Sequence, residues 1–398
     1  MVLFLLLAAL AGPPAPSVTG PRETTSTHPV YGFRARGAVS FRCAFDSVRL
    51  HRCAARYSQT LVIGSHVLRV RAVGRRGALS RTTTVRVVVV APVPALQVNA
   101  PIAVGPGAGV PVPYRATVWV PTTADGMLVR LLNGVVTGRI PVGVAGRSGD
   151  LDSAIEIRDV IWSASDRGAR ISAVDPSTGA VIRTVPVADR PGGLVAGNSG
   201  LLYAFHFLQG AITRIDTTTG TATRLQRPDV RATGIAYGFV GAGALWLLTT
   251  APAQLLELDP TTAAVRRTIA LRPPFAPKRT FIETWSLAYA DDALWLTLPN
   301  HDAVARVDAI TGMVRYIQLR YGRPFGIAVG AGSAWLATDR AVVRLDEKTG
   351  EVLGAASLPP AQSSGFMSIA FGFGSAWVTN YDRGTLVEVP LPLPRCSS

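Results

Sequence analysis

Seven aromatic residues recur at nearly constant intervals through the chain: Trp119, Trp162, Tyr203, Trp246, Trp295, Trp335 and Trp377. The intervals are 43, 41, 43, 49, 40 and 42 residues. Residues 326–350 show the repeating unit most plainly. A short apolar strand (326–330) is followed by a Gly-rich turn and a second strand carrying Trp335 (334–338). A polar Asp339-Arg340 loop leads to a third strand (341–345). The next turn opens on Asp346 and closes on Gly350, where a positive φ costs least. A fourth strand (351–358) completes the unit. Seven such units, each of up to four strands, predict a seven-bladed β-propeller, in which each unit buries its faces against its neighbours.

The turn before the fourth strand recurs at Asp175–Gly179, Asp216–Gly220, Asp308–Gly312 and Asp346–Gly350, and at Asp259–Ala263 without the glycine. Asn133-Gly134 replaces it in the first unit, a hairpin signal. The last unit stops after its third strand (385–389), and an unpaired edge would leave the ring open. Residues 96–99 are the expected donor of the missing strand.

Upstream, residues 30–90 alternate with period two, as in Thr84-Val-Arg-Val-Val-Val-Val90. Several short strands in some sixty residues predict a small β-sandwich. The expected order is a signal peptide (1–11), a linker (12–22), the sandwich (23–90), a second linker (91–95), the propeller (96–391) and a tail (392–398). The opening apolar run is too short to span a bilayer, and Ala9-Leu10-Ala11 has the form of a signal-peptidase site, although no Lys or Arg precedes it. The expectation is a secreted or envelope protein. A local disulfide between Cys43 and Cys53 suits that compartment; Cys396 has no evident partner. The chain has neither a CxxC pair nor a zinc-spaced Cys/His cluster.

Two resemblances follow. Phe41, Cys43, Asp46, Cys53, Gly64, His66, Val70, Arg71 and Ala72 resemble an Ig-like module of secreted bacterial proteins. That implies a spacer or adhesion-like role and a structural His66. The segments 190–197, 323–330 and 376–380, with the Asp-x-x-Thr-Gly turns, resemble the YVTN propellers and more loosely the NHL and streptogramin-lyase propellers. This resemblance implies the fold over roughly three-quarters of the chain; such propellers host binding, scaffolding and catalysis alike. The lyase family implies a His with Glu residues, a magnesium ion and a Glu-bearing second strand. The second strands here read WVPT, WSAS, YAFH, WLLT, WLTL, WLAT and WVTN, and none carries Glu.

The formal charge is +15, and 38 of the 40 basic residues are arginine. Arginine spread along the chain, rather than concentrated in a stripe or tail, disfavours nucleic acid as a partner. No P-loop, dinucleotide fingerprint, Gly-x-Ser-x-Gly elbow or HExxH is present. Candidate ligand-binding residues are therefore sought on loops. Arg190, Arg227, Arg272 and Arg323 each precede a proline where two units join, and Phe275, Lys278, Arg279 and Phe281 sit in a long loop. Such loops suit a carboxylate, phosphate or sugar ligand. Glu156, six residues before Trp162, stands where three other units have Tyr289, Val329 and Phe371, and it is expected at the channel wall. With Asp150, Asp152 and Asp159 nearby, it is the candidate for magnesium or calcium. His206 and His301 follow second strands and are expected at the surface.

The leading expectation is an exported, monomeric, non-catalytic binding or scaffolding protein. One propeller face would hold an extracellular protein, glycan or envelope ligand, with no cofactor. The alternative is a metal-assisted carbon–oxygen lyase similar to virginiamycin B lyase, drawing on Glu156, His206 or His301.

Overall fold

The computed structural model describes residues 12–144, 153–187, 190–206, 211–225, 235–250, 252–277, 284–361 and 366–391. The expected signal peptide and tail, Cys396, Asp150, Asp152, Arg227, Lys278, Arg279 and Phe281 lie outside the described residues. Two compact units divide between Val93 and Pro94. No α-helix occurs among the described residues, and none there is long and apolar enough to cross a membrane.

The first unit contains a three-stranded and a five-stranded sheet. Period-two alternation sends Phe41, Cys43 and Phe45 of one strand, and Leu68, Val70 and Ala72 of its partner, into one apolar core. Tyr31 and Phe33 of the smaller sheet join the same core. Cys43 and Cys53 sit on paired neighbouring strands, diagonally offset by two residues, and form a disulfide with Cα atoms 6.0 Å apart.

His66 is buried within this unit, 7 % exposed. Its Nδ1 donates to Asp46 Oδ2 (2.6 Å) and its Nε2 to the Val62 carbonyl (2.8 Å). A neutral imidazole donates through one nitrogen only, so this geometry holds an imidazolium. The Asp46 hydrogen bond accordingly raises the His66 pKa above its ordinary value. The pair's stabilisation is full below the unfolded-state pKa of about 6.5 and is lost as pH rises through the raised folded value. Asp46→Asn should therefore destabilise the unit by about 1–2 kcal/mol at pH 6, a discounted figure because the carboxylate is half exposed. The difference should shrink by pH 9. Melting curves at the two pH values check this; an equal penalty at both would refute the charged pair.

Among the described residues the second unit contains seven four-stranded antiparallel sheets. Their inner strands are Val112–Tyr114, Ala154–Ile157, Gly193–Ala196, Ile235–Gly241, Leu287–Ala290, Pro324–Gly330 and Met367–Gly372. Each inner strand contacts that of the next sheet, and the seventh contacts the first, so the sheets close a ring. The second strands are covered on both faces: all six residues of Ser333–Thr338 are buried, as are those of Ser375–Asn380. That explains why they read as apolar runs rather than as alternation. All seven register aromatics are buried, between 0 and 7 % exposed.

Glycine lets neighbouring sheets approach at one recurring place. The Trp246, Trp335 and Trp377 indoles donate to the carbonyls of Gly241, Gly330 and Gly372. A Cβ on those glycines would fall 2.7 Å from Tyr289, 2.1 Å from Phe371 and 2.5 Å from Pro113 of the next sheet. The recurring Asp turns also share one geometry. Each Asp Oδ1 accepts the backbone N–H groups two and three residues on, as Asp346 does from Lys348 (2.9 Å) and Thr349 (2.6 Å). In the Asp259 turn the Thr262 amide, with Arg266, lowers the carboxyl pKa to about 2. Ala263 there holds φ 61°, the left-handed conformation that glycine takes in the other turns.

The strand that closes the ring is not 96–99. Ile102–Ala103 is the fourth strand of the seventh sheet, paired with Leu386 and Thr385. Of the expected segment, Leu96 belongs to the sixth sheet, where its amide donates to the Ala355 carbonyl (3.0 Å) and the Ala355 amide to the Pro94 carbonyl (3.0 Å), whereas the Asn99 amide donates to the Glu388 carbonyl of the seventh (2.9 Å). Gly354 leaves room there for the Leu96 side chain. Leu96 is thus held by the outer strand of one sheet, and the chain crosses to the next before pairing.

Candidate functional site

Antiparallel order fixes which loops share an end of the ring. The N-terminal ends of the inner strands lie with the loops after the second strands. The hairpin turns after the inner strands lie at the opposite end, with the Asp turns. At the first end an aromatic cluster joins three consecutive sheets. Trp285 precedes the fifth inner strand, Phe325 opens the sixth, Phe366 precedes the seventh, and Tyr381 follows the seventh sheet's second strand. Trp285 and Phe366 stack with centroids 4.4 Å apart and planes 8° from parallel. Phe325 stands edge-on to both, and Tyr381 edge-on to Phe366. Phe325 is buried, whereas Trp285, Phe366 and Tyr381 are part exposed. The Thr123 hydroxyl donates to the Tyr381 hydroxyl oxygen (3.0 Å), which ties the cluster to the first sheet.

Beneath Trp285 lies a cavity of about 40 Å³, lined by Val110, Tyr237, Ser286, Phe325 and Ser368 among others. It has room for a small number of waters and not for a drug-sized ligand. Burial pushes the Tyr237 phenol pKa up, so the group stays a neutral donor at physiological pH. A planar aromatic stack over a small polar-lipped cavity can take a flat apolar face from outside and offer hydroxyls from below.

The residues proposed from sequence are distributed differently. Arg190 is committed to Asp166, with Nε 2.8 Å from Oδ1 and Nη2 bonded to Oδ2. The Arg323 guanidinium bonds Asp339 Oδ2 (2.9 Å) and lies 5.2 Å from the Phe325 ring centroid, so it buttresses the aromatic cluster with its charge already balanced. The Arg272 amide donates to the Tyr316 hydroxyl (2.6 Å), and its side chain is exposed. Phe275 packs against the apolar core of the fourth and fifth sheets, and its carbonyl accepts from His301 Nδ1 (2.9 Å). Phe275 is therefore a packing residue rather than a protruding anchor.

His206 is covered fully and His301 only in part. His206 is fully buried and shares a 2.8 Å hydrogen bond with the Thr213 hydroxyl, because it ends a second strand that is covered on both faces. His301 is part buried in a short 3-10 turn.

Glu156 does not stand on an open channel wall. Its Oε1 accepts the Asp159 amide (2.7 Å) in the hairpin turn that follows its strand. Asp159 in turn accepts from Tyr114 (2.6 Å) and Arg115 (2.8 Å) of the first sheet. The equivalent Tyr289 and Phe371 stack on Phe239 and Trp335 of the preceding sheets, so this position packs between sheets. Where the fifth and seventh sheets pack a ring against glycine, the first sheet offers Tyr114, and a carboxylate fits beside it. Glu156 also lies at the turn end of its strand, while His206 lies at the other end of its own. Four residues of strand, about 13 Å, separate those levels. Among the described residues no group of three or more His, Cys, Asp or Glu side chains could hold a metal.

Trp285, Phe366 and Tyr381 went unrecognised in the repeat pattern. One signal was available. Six of the seven tryptophans occupy the repeat register, with Tyr203 filling the remaining place, and Trp285 is the one outside it.

No family model matches the chain, and no curated protein sequence does. Solved structures match in shape. A streptogramin B lyase structure superposes with TM-score 0.62 at 16% identity, over 75% of this chain and 98% of that one. The WD40 β-propeller domain of Doa1 gives 0.59 at 14% identity, over 77% and 100%. A hydrazine synthase of Kuenenia stuttgartiensis gives 0.57 at 13% identity, over 72% and 96%. At these identities the likeness concerns the fold alone, and the chain contains a β-propeller.

Proposed function

We propose that this chain is an exported, non-catalytic binding protein, an Ig-like module followed by a seven-bladed propeller. In this reading the Trp285–Phe366 end of the ring receives the ligand. The observation that carries it is the part-exposed stack of Trp285 on Phe366, built from loops of separate sheets and outside the repeat register. A scaffold gains nothing from holding two large rings partly in water. A glycan, or a peptide carrying an aromatic side chain, matches such a platform, whose stacking contribution is about 1 kcal/mol per ring pair beyond area burial. Trp285 fluorescence offers a direct readout. On a glycan and peptide array, Trp285→Ala and Phe366→Ala should each weaken the wild-type signals about tenfold, a loss of roughly 1.4 kcal/mol. Retention of every signal by both variants would remove this face from the reading.

The second reading, a metal-assisted lyase, draws on the shape shared with a streptogramin B lyase structure. It requires Glu156 to act with His206 or His301, and the strands place Glu156 at the other end of the ring. Turnover of a cyclic depsipeptide lactone that depends on added magnesium would favour the lyase over the binding protein.

A further inference from the structure

The charge of this protein is concentrated. The first 93 residues hold thirteen arginines against two carboxylates, Glu23 and Asp46, in a chain whose net charge is +15. Strand register gathers several of these arginines on the outer face of the five-stranded sheet. Arg42 is directly opposite Arg52 on one side and Arg71 on the other, so three arginines form one row across three strands. Arg69 pairs with Ala44 and Thr84 on the same face, and Arg86 with Val67. Like charges set directly opposite one another destabilise a sheet. No ion pair balances Arg42, Arg52, Arg69, Arg71 or Arg86 among the described residues, and Asp46, which lies near Arg69, is held by His66 and the Val67 amide.

Two of these guanidiniums are oriented by backbone instead. Arg71 Nε donates to the Ser80 carbonyl (2.9 Å) and Arg69 Nη1 to the Ser47 carbonyl (3.4 Å). Their remaining N–H groups stay available. Arg42, Arg69 and Arg71, with Thr82 and Thr84, line a groove of about 490 Å³ rimmed by Val48, Leu50 and Leu79. Val48 is 82% exposed and Leu79 40%, unusual for apolar side chains with no covering element.

We propose that this groove binds an acidic saccharide. The volume lies in the range of small-molecule sites, about 300–1,000 Å³. Adjacent strands stand about 4.8 Å apart, the scale of substituents around one sugar ring. Oriented guanidiniums bond carboxylates in forked pairs, the threonines meet ring hydroxyls, and the apolar rim meets the ring face. A flat bilayer surface has no group to fill a concave site, and a duplex would need a longer track of cations than one groove offers.

The test is calorimetric titration of the full chain with a galacturonate hexamer, using neutral maltohexaose, a DNA duplex and phosphatidylglycerol vesicles as comparisons. The expected result is binding of the hexamer that weakens with added salt. Arg42→Ser combined with Arg71→Ser should lower the affinity at least about tenfold. That variant should keep the wild-type circular dichroism spectrum and a cooperative melt, since relieved like-charge repulsion offsets the lost Arg71–Ser80 hydrogen bond; this separates loss of the site from loss of the fold. Equal binding of maltohexaose, undiminished binding by the double variant, or stronger binding of duplex or vesicles than of the hexamer would each overturn the proposal.

Discussion

Trp335→Ala should lower the melting temperature of the propeller by roughly 10 °C. Trp335 is fully buried in the second strand of the sixth sheet. It stacks on Phe371 of the seventh sheet at 5.8 Å, lies beneath the Arg344 guanidinium at 5.4 Å, and donates to the Gly330 carbonyl. Removing the indole deletes its contacts with the next sheet and with the cross-strand arginine and leaves a cavity that close-packed sheets cannot collapse, a cost of about 3–5 kcal/mol. Spread over a domain of this size, each kcal/mol moves the midpoint by about 2–4 °C. Trp285→Ala is the informative companion. Its ring is part exposed and stacks on one partner, so the shift should be a third of that or less. Circular dichroism melts of the two variants give the comparison. Equal shifts would mean that Trp285 belongs to the scaffold and is not a platform held out for a ligand.

The contrast between those two tryptophans also explains what the sequence made legible. A feature that recurs in every unit reports a constraint that every unit shares. Trp335 and its six counterparts fill the same gap between sheets, and the Asp turns satisfy the same backbone amides, so spacing alone located them. Features set by the neighbour in space were not legible. Glu156 is unusual on its own strand but ordinary beside Tyr114, and that pairing depends on residues 42 positions upstream. His206 looked like a loop residue because the end of its strand was placed too early; the strand runs through residue 206 and is covered on both faces. The arginines of the first unit looked scattered because period two tells which face a residue takes but not which strands lie side by side. Arg42, Arg52 and Arg71 come together only once the pairing is known. The closing strand was misplaced by a few residues for the same reason, since the outer strands of two sheets compete for one segment.

That closure carries the second large expectation. A chain beginning at residue 106 should fail to hold the ring that a chain beginning at residue 94 holds. The lost segment supplies the whole fourth strand of the seventh sheet, Ile102–Ala103. It also supplies the Asn99, Val104 and Gly105 amides that donate to the Glu388 and Gly384 carbonyls. Leu96 and Val104 go with it, 7 and 0 % exposed. Two buried aliphatic side chains contribute about 1.5–3 kcal/mol each, and the backbone hydrogen bonds add a smaller net amount. The sum of about 5 kcal/mol is as large as the whole net stability of many domains. The strand Thr385–Pro390 would then present a row of unpaired amides and carbonyls between Leu386, Val387 and Val389, all buried in the closed ring. Such an edge recruits another copy of itself. Size-exclusion chromatography with light scattering should therefore show the longer chain as a monomer and the shorter one as aggregate, with a melting transition lowered by ten degrees or more. A monomeric shorter chain that melts within a few degrees of the longer one would mean that the seven inner strands hold the ring without a shared sheet at the seam, and that the two ends of the chain are joined there by packing alone.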